Sequence, residues 1–283
     1  PGQSGFELIL NGESAFKTRA ALTDAAQQTL DLQYYSVGDD LTTDLLLTRI
    51  VLAAQRGVRV RILLDDAHGS ARLFARRALA ADSRIQVRLF NPLRVGVSLD
   101  VLRWGEFLFD SDRLNRRMHN KLWLTDNAVA ITGSRNLADE YFSASEGSNF
   151  YDVDLLAVGP IVKELSKKFD AYWNNQVAVP FEALSSPPVG DEAQSLRMAL
   201  EDRTKICDDM PACKWLDIRP ALAFAQNGTS SLTWARAQLH YDEPDKAKEE
   251  TASGIQHGSV QDFPGGARTV TELLIISPYF IPG

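Results

Sequence analysis

Between residues 30 and 90 the chain alternates two hydrophobic periods, and this alternation limits the fold more than any other feature. Residues 30–37 (LDLQYYSV), residues 58–64 (VRVRILL) and Ile85–Phe90 are short apolar runs of strand character. Leu41–Gln55 and Ser70–Ala81 carry helical spacing instead. Asp39 or Asp40 precedes the first of these as a cap, and Gly57 follows it as a stop. Strand, helix, strand, helix, strand in that order predicts parallel strands joined by helical crossovers. A helix is also predicted over residues 14–28, burying Phe16, Ala20 and Leu22. Residues 151–158 (YDVDLLAV) read as a strand, and residues 160–176 as a helix with Pro160 in its first turn. The predicted fold class is α/β, a mixed, largely parallel sheet flanked by helices.

The chemistry concentrates in residues 116–141, RRMHNKLWLTDNAVAITGSRNLADEY. Alternation around His119, Lys121 and Trp123 reads as a strand with these three on one face. Asp126 and Asn127 lie between two apolar runs and read as a hairpin turn. The second run ends in Gly133-Ser134-Arg135-Asn136. An imidazole and an ammonium two residues apart converge on one small volume. Lys is a poor companion for a metal, but both groups suit a phosphate. The ammonium neutralises its charge, Ser134 and Asn136 offer further hydrogen bonds, and the imidazole is free to attack phosphorus or move a proton. A lone strand His is more often structural, and a turn Asp is usually a turn former. It is the complete pattern that points to catalysis.

That pattern, His119-x-Lys121-x4-Asp126 followed by Gly133-Ser134-x-Asn136, resembles the phospholipase D superfamily. The words around it are similar to its bacterial cardiolipin synthase branch, which usually carries Gly-Gly-Arg-Asn where this chain has Ser134. The resemblance spans residues 30–178 and returns at the C-terminus. It implies a phospholipase D-like fold and phosphatidyl transfer or phospholipase D-type hydrolysis of phospholipids through a phospho-histidine on His119. Lys121, Asn136 and Ser134 would hold the phosphoryl oxygens, and no metal or cofactor is implied. An acid on the strand at residues 151–158 would hold the far nitrogen of His119, with Asp152 the first choice and Asp154 the second. Asp126 would brace the hairpin or pair with a nearby cation. The expected partners are a phospholipid substrate, an anionic membrane surface, and a second His-Lys-Asp half in the same protein or a homodimer partner. The expected location is peripheral on a bacterial membrane. Two rivals use the same site: a phospholipase D-like nuclease or phosphodiesterase, and a catalytically incomplete domain that binds lipid or phosphate without turnover.

Composition supports the lipid reading over nucleic acid. The net charge is -7, whereas nucleic-acid binders are usually basic. A local basic group, Arg103, Arg113, Arg116, Arg117 and Lys121, suits an anionic headgroup. No apolar run reaches the roughly 18 residues of a membrane span. Residues 91–117 contain Trp104, Phe107, Leu108 and Phe109 and read equally as a lid, a lipid-contacting surface or an apolar plug. Asp65 and Asp66 end a predicted strand, where a helix cap is the preferred reading and a site residue the other. Cys207 and Cys213 fit a local disulfide or two free thiols. The expected division is a catalytic repeat over 1–178, a linker and inter-repeat segment over 179–270 (within it a helix over 191–207, a strand over 231–240 and a loop over 241–266), and over 271–283 the opening strand of a second repeat.

Overall fold

In the computed structural model, residues 2–66, 70–92, 117–205, 232–241 and 243–244 are described. The chain opens with β1 (Ser4–Ile9) and α1 (Gly12–Ala25), whose Asn11 side chain accepts from Ser14 N at 2.7 Å as an N-cap. Then follow β2 (Thr29–Tyr34), α2 (Leu41–Gln55), β3 (Arg59–Asp65), α3 (Ser70–Ala81) and β4 (Ile85–Phe90). The alternating region thus takes the predicted order, with α2, α3 and β4 at the predicted bounds. Asp40 caps α2 through Thr43 N at 3.1 Å. The hairpin is β5 (Leu122–Thr125) and β6 (Val129–Gly133), joined through Asp126 and Asn127 at φ 53° and 51°. These left-handed values suit the central pair of a tight turn, which Ala128 N closes by donating to Thr125 O at 3.0 Å within a three-residue loop. A 3-10 turn (Asp139–Tyr141), β7 (Asp154–Val158) and α4 (Pro160–Trp173) complete this part.

The strands form one mixed sheet in the order β8-β4-β3-β2-β5-β6-β7-β1-β9, where β8 is Ala178–Pro180 and β9 is Thr233–Ala235. The parallel part is confined to β2, β3 and β4, and the other neighbours run antiparallel. Two parts of the expected linker therefore belong to the sheet, because β8 pairs with β4 and β9 with β1. Two further helices, α5 (Phe181–Leu184) and α6 (Gly190–Lys205), follow β8; α6 packs on α2 and α3, and Phe181 and Leu200 enter the core. Residues 207 and 213, the loop calls over 93–116 and 245–266, and the proposed repeat strand over 271–283 lie outside the described residues.

Both faces of the sheet are covered. Helices α1, α2 and α3 supply Phe16, Leu46, Ile50 and Phe74 to one core, and α4 supplies Ile161, Leu165 and Phe169 to the other. In β5, Trp123 enters the first core while Leu122 and Leu124 enter the second, the period-two alternation of a strand. Strands β3 and β5 read as near-continuous apolar runs for this reason. Arg61 is a buried polar residue within β3. It is bound to Asp31 at 2.7 Å and Asp170 at 2.8 Å, and its guanidinium lies over the Phe169 ring.

Candidate active site

Strand register brings the site together. Leu122 begins β5 opposite Gln33 near the end of β2 and opposite Thr132 near the end of β6, and Gly133 ends β6 opposite Asp154 at the start of β7. The lead-in to β5, the exits from β2 and β6 and the entry to β7 therefore meet at one edge of the sheet. The predicted strand through His119 and Lys121 is shorter than expected, since β5 starts one residue after Lys121. The exits are joined to each other as well: Gly38 N donates to Leu137 O, and Leu137 N donates to Ser36 O at 3.3 Å.

His119 is exposed and Lys121 is 4% exposed. The Lys121 Nζ donates to the His119 carbonyl oxygen at 2.8 Å, which draws the lead-in into a tight curl. Tyr35 spans the pair, with its ring centroid 4.7 Å from the imidazole and 5.2 Å from Lys121 Nζ. Partial burial, helped by the adjacent Lys121 cation, lowers the His119 pKa below its ordinary value and keeps the ring neutral at neutral pH. Burial also pulls Lys121 down to about 8, opposed by the negative charges of Asp152 and Asp65. A neutral imidazole beside a retained cation is what attack on a phosphate requires.

Asn136 is buried and fixed at both ends of its amide. Its Oδ1 accepts from Ser36 N at 3.2 Å and its Nδ2 donates to Tyr141 Oη at 2.9 Å, which leaves a second amide proton for a ligand. Ser134 is exposed, but its hydroxyl accepts from Val153 N at 3.2 Å and donates to Val153 O at 3.4 Å. It ties β6 to the entry of β7 more directly than it faces a ligand. Gly133 is needed by close approach, because a Cβ there would lie 2.2 Å from Asp154 Oδ1 and 2.5 Å from Val153 O.

Two of the expected acids change place. Asp152 does not hold His119, and among the described residues no carboxylate hydrogen-bonds the imidazole; the charge of Asp152 falls on Lys121 instead. Asp154, the second choice, faces the interior with no exposure, where it pairs with Arg19 at 2.9 Å and Arg135 at 3.4 Å. Arg135 also donates to the carbonyls of Ile9 and Leu10 at 3.0 Å each and of Asp152, so the residue between Ser134 and Asn136 anchors the whole corner. Asp126 lies at the far end of β5 from His119. Its carboxylate accepts from the backbone N–H groups of Gln27, Gln28 and Thr29 at 2.7 to 2.9 Å, a brace that clamps the hairpin to the entry of β2.

Sequence reasoning missed Tyr35, the Arg19–Asp154–Arg135 cluster and the part played by Asp65. The Tyr35 signal was present as the aromatic pair ending residues 30–35, since a strand's last ring projects beyond its partner's ladder. The other two depend on contacts between distant segments.

Residues 20–173, more than half of the chain, match the family described as cardiolipin synthase, PLD-like domain. The chain belongs to this phospholipase D-like family. It is 34% identical over its full 283 residues to cardiolipin synthase C of Escherichia coli (strain K12), of which it spans 58%. It is 26% identical over 205 residues, 71% of the chain, to cardiolipin synthase A of Pseudomonas entomophila (strain L48), of which it spans 40%. The chain thus spans about half the length of these relatives. Among solved structures, phosphatidylserine synthase of Haemophilus influenzae Rd KW20 superposes with a TM-score of 0.49 at 12% identity, over 79% of this chain and 44% of that one.

Proposed function

We propose that this chain carries one half-site of a phosphatidyltransferase that works through a phospho-histidine, in the manner of a cardiolipin synthase. The carrying observation is the exposed His119 imidazole held beside the buried Lys121 ammonium, under the Tyr35 ring that spans both. A ring nitrogen of His119 attacks the phosphodiester phosphorus. The new N–P bond forms as the bond to the leaving alcohol oxygen breaks, and that oxygen takes a proton from a second acid. Lys121 and the spare Asn136 amide proton stabilise the added negative charge on the phosphoryl oxygens. An acceptor alcohol, or water, then loses its proton to the same second group and attacks phosphorus, which frees His119. Asp126 and Asp154 hold the frame, Ser134 ties the two strand ends, and Asp152 supports the Lys121 charge.

Lipid is favoured as substrate by the rim. Phe150, Tyr151 and Val153 are exposed apolar groups flanking Asp152, and the Phe150 ring lies tilted, at a centroid distance of 5.0 Å, against Tyr141, the residue that receives the Asn136 bond. Such a surface suits acyl chains and a peripheral place on an anionic bacterial membrane. The second acid is supplied by another His-Lys-Asp half, in the same protein or in a homodimer partner. No helix among the described residues is long and apolar enough to cross a membrane.

The test is to incubate the chain, alone and extended toward the full length of its relatives, with phosphatidylglycerol vesicles and separately with single-stranded DNA. Lipid transfer by the extended form and weak, concentration-dependent transfer by the chain alone are expected. Nuclease activity without lipid turnover would replace the lipid reading, and binding to vesicles without turnover by either form would leave only a binding domain.

A further inference from the structure

Asp65 ends β3 on the same sheet edge as the site, and none of it is exposed. Its Oδ2 accepts from Met118 N at 2.9 Å, the residue directly before His119. Its Oδ1 lies 3.3 Å from Arg117 Nη1, which also donates to Asn91 O at 3.2 Å. A helix cap, the reading favoured from sequence alone, does not describe these bonds. Asp66, one residue on, has a separate task and binds Arg72 side-on at 2.9 and 2.5 Å.

A fully buried carboxylate is costly unless its partners replace water. Two of its partners, Arg117 and the Met118 N–H, belong to the lead-in to β5. The ladder between β2 and β5 begins only at Leu122, so ahead of it the described residues of the lead-in are held by single bonds, among them Thr132 Oγ1 donating to Lys121 O at 3.0 Å. Met118 is buried, with Gln33 Nε2 at 3.0 Å from its sulfur, and the Asp65 bond seizes the same residue by its N–H. His119 is thus presented from a backbone pinned one residue earlier. The groups facing Lys121 are His119 on its own segment, Tyr35 beyond β2, Asp65 at the end of β3 and Asp152 ahead of β7. The charges of the two acids counter the burial that weakens its own.

We propose that Asp65 is a positioning residue of the phosphoryl-transfer site: it fixes His119 through the Met118 N–H and, with Asp152, keeps Lys121 a cation. The inference rests on the phosphotransfer reading for its purpose, but its physical content is separate and is tested without turnover. Asp65→Asn keeps the shape and an acceptor oxygen while removing the charge.

With lysine side chains carbon-13 labelled and Lys121→Arg used to identify the resonance, the Lys121 titration midpoint is expected near 8 in the parent. In Asp65→Asn it should fall by on the order of one pH unit, as loss of a near opposite charge does. Turnover of phosphatidylglycerol by the extended form should fall roughly tenfold or more, as misplacement near a reacting group does. Its alkaline limit should move the same way as the midpoint. Asp66→Asn, which breaks the neighbouring pair with Arg72, should lower Tm and leave the midpoint in place. An unmoved Lys121 midpoint in folded Asp65→Asn would overturn the inference. If that variant does not fold, hydrogen exchange at the Met118 amide of the parent decides: strong protection supports the Asp65 bond, and free exchange overturns it. Failure of the parent to label His119 with phosphodiester counts against the phosphotransfer reading instead, so the two failures are told apart.

Discussion

The two ends of β5 differ in what their side chains are bonded to. At one end Asp126 spends its carboxylate on three backbone N–H groups, and at the other His119 makes no side-chain hydrogen bond to a carboxylate among the described residues. The three motif residues are therefore split by a strand of four residues, which at about 3.3 Å rise per residue separates frame from chemistry by well over 10 Å. The His119-to-Asp126 spacing is a mechanical unit. The turn carboxylate sets where the hairpin docks on β2, and the hairpin delivers the imidazole and ammonium to the opposite edge. A similar contrast separates Asp152 from Asp154, two residues apart, one half-buried beside Lys121 and the other fully buried between two guanidinium groups.

The largest effect is expected from His119→Ala. Turnover by the extended form should drop by roughly 10⁴-fold or more, as loss of a nucleophile does, while Tm stays at the parental value. A large fall in Tm with activity retained per folded molecule would move His119 to the structural end. Asp154→Asn should do the reverse. It leaves Arg19 and Arg135 buried without their counter-charge, and chemical denaturation should show a loss of about 3–5 kcal/mol. Asp152→Asn should leave stability near parental and act through Lys121 alone.

Lys121→Met comes next, with turnover lower by roughly 10²-fold, as for loss of an oxyanion donor. Stability should hold or rise. The Lys121 pKa is depressed from 10.5 in the unfolded chain to about 8 in the folded one. Between these values the unfolded chain binds more protons, so this group costs stability below pH 8 and the cost is relieved as pH climbs toward 10.5. Activity runs the other way. It should fall above about pH 8 as Lys121 loses its proton, and fall on the acid side as His119, with its lowered pKa, becomes protonated. Rate against pH and thermal melts against pH, taken on one preparation, check both signs. The smallest effect is expected from Asp126→Asn. It keeps one acceptor oxygen and should cost about 1–2 kcal/mol in denaturation, with turnover per folded molecule nearly parental. Full inactivity at parental stability would give Asp126 a chemical part that its backbone bonds do not suggest.

Much of this was legible in sequence where neighbours in the chain are neighbours in space. The run from Leu41 to Phe90 gave α2, α3 and β4 at their bounds, and the hairpin followed from Asp126-Asn127 between two apolar runs. His119, Lys121 and Asn136 stood out because their pattern is short. What sequence concealed depends on register across the sheet. Tyr35 reaches His119 only because Gln33 pairs with Leu122, and Asp65 reaches Met118 across 53 residues. The choice between Asp152 and Asp154 hinged on where β7 begins: starting at Asp154 rather than at residue 151, it turns that acid inward to meet Arg19 of α1. Strands β1 and β8 escaped notice for simpler reasons. The first opens on Ser4-Gly5 and lacks strong alternation, and the second is three residues long, ends in Pro180 and sits at the sheet edge, where proline is tolerated.

The central claim is that His119 becomes covalently phosphorylated. The direct measurement is mass spectrometry, under alkaline handling that preserves phospho-histidine, of the extended protein quenched during turnover of phosphatidylglycerol. The account predicts a phosphatidyl adduct on the peptide bearing His119, absent in His119→Ala. Turnover at the parental rate with that peptide unmodified at every quench time, and with the His119→Ala variant still active, would contradict it.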